Sequence, residues 1–188
     1  LPFPLASILR SYHVVDSTPK AKYERLLHFF EAYTVFCSAI HLSAVKTNSE
    51  YWAEYKSQIL DVFNNRGFSL YRSTFGAWQV INSLLAARLR TMLTDPERMP
   101  VALGMYGAAT PTPLELLSST DVVNILQRTN TLRNRWHGHG GDVPENETQV
   151  RHQTLLDELV MLRKQVGLRL SEYQLIEPQE CEILDGPR

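Results

Sequence analysis

The stretch STPKAKYERLLHFFEAYTVFCSAIH, residues 17–41, decides the fold class. Ser17-Thr18-Pro19 has the form of a helix start, a hydroxyl able to cap free backbone N–H groups followed by proline in the first turn. From there Tyr23, Leu26, Phe30, Tyr33, Cys37 and Ile40 recur at helical spacing, and Leu27, Phe29 and Phe36 widen the stripe. A stripe this broad and aromatic predicts a helix in the middle of a core. His41 continues it four residues after Cys37, where a hydrogen-bonded core histidine is expected.

The pattern recurs downstream. Asn48-Ser49 is a second cap-like pair, and Tyr51, Trp52, Tyr55, Ile59, Val62 and Phe63 predict a shorter helix ending before Arg66-Gly67. Ser73-Thr74 opens a third, with Trp78, Ile81, Leu85, Leu89 and Met92 on one side and Thr94-Asp95-Pro96 as its stop. Four prolines and two glycines from Pro96 to Pro113 predict a loop. A fourth helix is predicted over 113–137, with a break near Ser118-Ser119-Thr120-Asp121. The fifth is predicted over 147–170, with Val150, Leu155, Leu159, Leu162, Val166 and Leu170 facing inward. Tyr173–Pro178 and Cys181–Leu184 read as an edge strand or the start of a following module. The expected fold class is all-α: an up-and-down bundle of four to five helices in residues 1–170, then a C-terminal extension, 171–188.

Composition narrows the functions open to such a bundle. With 188 residues, 44% hydrophobic and 21% charged, the chain can bury a real core, and it is neither disordered nor collagen-like. Its 19 Lys+Arg against 20 Asp+Glu give no global attraction for nucleic acid or an anionic membrane, so any such binding must come from a local patch. No apolar run approaches the roughly 20 residues that span a bilayer. Cys37 and Cys181 lack CxxC or Cys/His zinc spacing, which points away from a disulfide framework and toward a reducing, cytoplasmic setting. The start, Leu1-Pro2-Phe3-Pro4-Leu5, is not a secretory signal and reads as cut from a longer chain, which makes the sequon at Asn146 accidental.

The local patch is residues 128–141, RTNTLRNRWHGHGG, with three arginines, two histidines and no acid. At 100° per residue, Val122, Leu126, Thr129, Arg133 and Trp136 fall on one apolar side, while Arg128 and Arg135 point the opposite way, toward solvent. A guanidinium keeps its charge, so Arg133 in a core-facing stripe must meet a carboxylate such as Glu31 or Glu115, a carbonyl, or an anionic ligand. Gly138, Gly140 and Gly141 end the helix and leave His139 on a glycine turn, from which its imidazole can reach back toward Arg133. His137 and His139 are spaced as a metal pair would be, but no further ligand stands near them in sequence, so neither metal nor cofactor is expected.

Arg133-Asn134 followed by His139, placed after four helices and before one, resembles the R-x(4–6)-H signature of HEPN domains. Membership would imply a metal-independent endoribonuclease, a toxin or antiviral defence effector whose site is built across a homodimer from two copies of the motif. His139 would then be the general acid/base at the ribose 2′-OH. Arg133 would hold the scissile phosphate, Asn134 would position either, and Arg128, Arg135 and His137 would contact the RNA substrate. It would also imply one domain of a larger stress-response protein, with an inhibitory or sensor domain in the same polypeptide or operon. Here Gly140-Gly141-Asp142-Val143-Pro144 separates the histidine from the last helix, and the tyrosine that follows it in the toxin–antitoxin branch is missing. Two other functions fit the same residues: a non-catalytic dimerisation, interaction or sensing module that docks a partner through Trp136, and a metal-dependent hydrolase using His137 and His139.

Overall fold

The computed structural model describes residues 3–14, 18–69, 74–137 and 143–167. Eight helices and no strand occur among them: α1 (Phe3–Val14), α2 (Pro19–Lys46), α3 (Ser49–Arg66), α4 (Phe75–Thr94), α5 (Met99–Tyr106), α6 (Thr112–Leu117), α7 (Thr120–His137) and α8 (Glu145–Val166). The protein is all-α, and its five long helices are the five expected from the sequence. The extension read as possible strand, with Cys181, lies outside the described residues.

The starts form as the local chemistry dictates. Thr18 Oγ1 accepts from the Ala21 N–H at 3.3 Å, Asn48 Oδ1 from the Glu50 and Tyr51 N–H groups at 3.1 and 3.3 Å, and Thr74 Oγ1 from Ala77 at 3.2 Å. Gly67 closes α3 with φ 66°, a left-handed conformation that only glycine adopts without strain.

α2 is the centre of the bundle and packs against α1, α3, α4, α5, α7 and α8. Its predicted face is the buried one: Leu26 and Phe30 are fully enclosed, and Tyr23, Tyr33 and Cys37 nearly so. Each such Leu or Phe contributes about 2 kcal/mol of burial. His41 is 0% exposed and places Nδ1 2.6 Å from the Tyr106 hydroxyl, as a core histidine should. Burial pulls its pKa down to about 4, with the Leu117 backbone partly opposing the shift.

Two short helices, α1 and α5, depart from expectation. α1 has no cap or broad apolar stripe to announce it; it packs on α2, where Arg25 Nη1 donates to the Ser11 carbonyl at 2.9 Å, and Tyr12 Oη lies 2.7 Å from His152 Nε2 of α8. α5 forms inside the stretch expected to be a loop, because Pro100 occupies the first turn, where no N–H is needed, and Gly107 ends the helix at φ 61°. The helix expected over 113–137 is broken where its serines suggest, into α6 and α7. Arg90 Nη1 donates to the Ser118 carbonyl, Ser119 Oγ accepts from the Val122 N–H at 3.4 Å, and α7 starts afresh at Thr120.

Candidate functional site

α7 carries the basic segment, and its register follows the helical wheel. Val122, Leu126 and Thr129 are buried, Arg133 and Trp136 are half-buried beside them, and Arg128, Asn134 and Arg135 are exposed. Arg133 forms no ion pair among the described residues; neither Glu31 nor Glu115 meets it. It is a cation at the edge of the core with no carboxylate partner among the described residues. His137 is the last residue of α7, and His139, with the glycines around it, lies outside the described residues.

Arg128 faces solvent as expected but is not free. Its Nε and Nη2 donate to Oε1 and Oε2 of Glu158, each at 2.8 Å, in a two-pronged pair that ties α7 to α8. The Glu158 hydrogen bonds raise the Arg128 pKa above its ordinary value. A groove of about 470 Å³ runs along this face, lined by Asn124, Gln127, Arg128, Thr131, Leu132 and Arg135. The polyanion contacts expected at Arg128 and Arg135 therefore share one surface, with Arg135 unpaired among the described residues.

The structure adds a residue that the sequence does not single out. Arg151 of α8 is 6% exposed, and its guanidinium lies over the Trp136 ring at 5.4 Å and the Tyr23 ring at 5.9 Å. The two rings meet edge to face at 6.0 Å. Arg151 Nε donates to Glu147 Oε1 at 3.0 Å, and Nη2 donates to the same oxygen. This corrects the register expected for the last helix: Val150, expected to face inward, is 65% exposed, and Arg151 occupies the core stripe in its place. The spacing holds the signal, since 151, 155, 159, 162 and 166 form one helical row. Hydropathy favours the valine instead.

Trp136 is thus engaged within the bundle by Tyr23 and Arg151. No cluster of three His, Cys, Asp or Glu that could hold a metal occurs among the described residues. No helix there is long and apolar enough to cross a membrane. Comparison with known proteins gives no significant match to a family model, to a curated protein or to a solved structure.

Proposed function

We propose that this chain is a cytoplasmic, metal-independent endoribonuclease acting through Arg133, Asn134 and His139 in the manner of HEPN domains, as a toxin-like or antiviral module regulated by a neighbouring domain or partner. The observation that carries this function is Arg133: a permanent cation half-buried at the end of α7 with no carboxylate partner among the described residues, which suits a phosphodiester and its growing transition-state charge. The ribose 2′-oxygen attacks its own phosphorus and the 5′-oxygen leaves, giving a 2′,3′-cyclic phosphate and a 5′-hydroxyl. An imidazole takes the 2′ proton and an imidazolium returns one to the leaving oxygen, roles that two copies of His139 in a homodimer would supply at neutral pH. The groove along Arg128 and Arg135 offers the flanking sugar–phosphate chain a polar, cationic track. Docking of a partner through Trp136, the core of the interaction-module alternative, is disfavoured because that ring is already packed against Tyr23 and Arg151.

His139→Ala tests the assignment. Cleavage should fall by at least about 100-fold while the circular dichroism spectrum and sedimentation of the dimer stay unchanged. Cleavage should persist in chelator, leave 2′,3′-cyclic ends, and fail on RNA carrying a 2′-O-methyl at the cut. Arg133→Ala should cost far more activity than Arg135→Ala. An undiminished rate in His139→Ala, chelator-sensitive cleavage, or a strict monomer at micromolar concentration would each overturn the mechanism.

A further inference from the structure

We infer that Arg151 is a positioning residue for Arg133: by gripping Trp136 against Tyr23, its guanidinium holds the last turn of α7 in place. The inference rests on the ribonuclease function proposed above. The end of a helix is its weakest part, because its last carbonyls lack intrahelical partners and its residues fray. The last five residues of α7, 133–137, include those that matter most here, Arg133, Asn134 and Trp136. Arg133 lies three residues before Trp136 on the same side, so whatever fixes the indole fixes the backbone from which the Arg133 side chain extends. What fixes the indole is Arg151 at 5.4 Å, with the Tyr23 ring of α2 meeting it edge to face at 6.0 Å. Three helices therefore meet at one planar cation.

Stability alone does not explain a charge at this position. Its neighbours in the same helical row, Leu155, Leu159, Leu162 and Val166, are apolar and buried, and a hydrophobic residue of similar volume at 151 would pack as well or better. A guanidinium provides direction, which an aliphatic chain does not: a flat cation stacks face-on against aromatic rings, and its fork is aimed by a carboxylate. Glu147, one turn earlier on α8, supplies that aim and remains half-exposed. Arg151 itself is too enclosed to reach a substrate, so its effect passes through Trp136 to Arg133.

The test uses the full chain with Arg151→Met, which keeps an unbranched apolar stem but removes the guanidinium, and Arg151→Lys, which keeps the charge but not the planar group. In Arg151→Met, hydrogen exchange at the amides of residues 133–137 should speed up about tenfold while the amides of α4 are unchanged. The RNA cleavage rate kcat should fall about tenfold with KM within about twofold, because a misplaced Arg133 weakens the hold on the transition state more than on the bound RNA. Arg151→Lys should lie between Met and the unmodified chain. Unchanged exchange at 133–137, or kcat equal to that of the unmodified chain in a folded Arg151→Met protein, overturns the inference. If Arg151→Met does not fold, Arg151→Lys decides by the same two measurements. Absence of cleavage by the unmodified chain defeats the ribonuclease function instead, and the exchange measurement still judges the grip.

Discussion

Arg151 and Glu158 lie two turns apart on α8, and their ion pairs are mirror images. At Glu158 the carboxylate is the enclosed member (9% exposed) and its arginine, Arg128, is half-exposed (48%). At Arg151 the arginine is enclosed (7%) and its carboxylate, Glu147, is half-exposed (48%). The first pair joins two helices, since Arg128 comes from α7; the second lies within α8, and the link to α7 and α2 passes through the rings of Trp136 and Tyr23. A buried carboxylate has only its hydrogen bonds to replace water, whereas a buried guanidinium also has two faces that aromatic rings can cover. Elsewhere in the core, between α2 and α5, polarity is buried without charge, as the His41–Tyr106 pair.

The neutral pair should give the largest effect. Folded His41 stays uncharged down to about pH 4, while in the unfolded chain it takes up a proton below its ordinary value of 6.5. Its folded pKa is the lower one, so stability is full above the unfolded value and is lost as pH falls from about 6.5 toward 4, by about 3 kcal/mol in all. Denaturant unfolding at a series of pH values should show this loss, and His41→Phe should remove most of the slope. A slope surviving in that variant would place the acid sensitivity in the ionic seam instead.

Next in size is Arg128→Ala, which strands the Glu158 carboxylate. It should cost about 2 kcal/mol and lower Tm by about 5 °C, and adding Glu158→Gln should recover more than half of the loss. If the double variant is no better than the single one, the pair is not what holds α7 to α8. The smallest effect should be that of Glu147→Ala, about 0.5 kcal/mol, because water reaches that carboxylate and the two rings still cover the guanidinium. A loss as large as that of Arg128→Ala would erase the contrast and show that Arg151 depends on its carboxylate after all.

Local signals carry the long helices and half of the candidate site. Capping by Thr18, Asn48 and Thr74, the aromatic stripe of α2, the serine break before α7 and the division of its arginines into Arg133 inside and Arg128 and Arg135 outside are all legible along the chain. Each depends on neighbours within about one or two turns, where spacing alone sets geometry. The helix α5 is hidden because prolines and glycines that break a helix in its interior are the same residues that start and end one.

What the sequence by itself determined is therefore a helical bundle and a cation facing its core. Only the tertiary structure decided which groups answer which charges. Glu158, not a nearby acid, takes Arg128; Arg151 displaces Val150 from the core stripe; and Arg133 is left without an ion pair among the described residues. These outcomes depend on how α2, α7 and α8 are rotated and set against one another. That arrangement follows from packing the whole core at once, which no window along the chain contains.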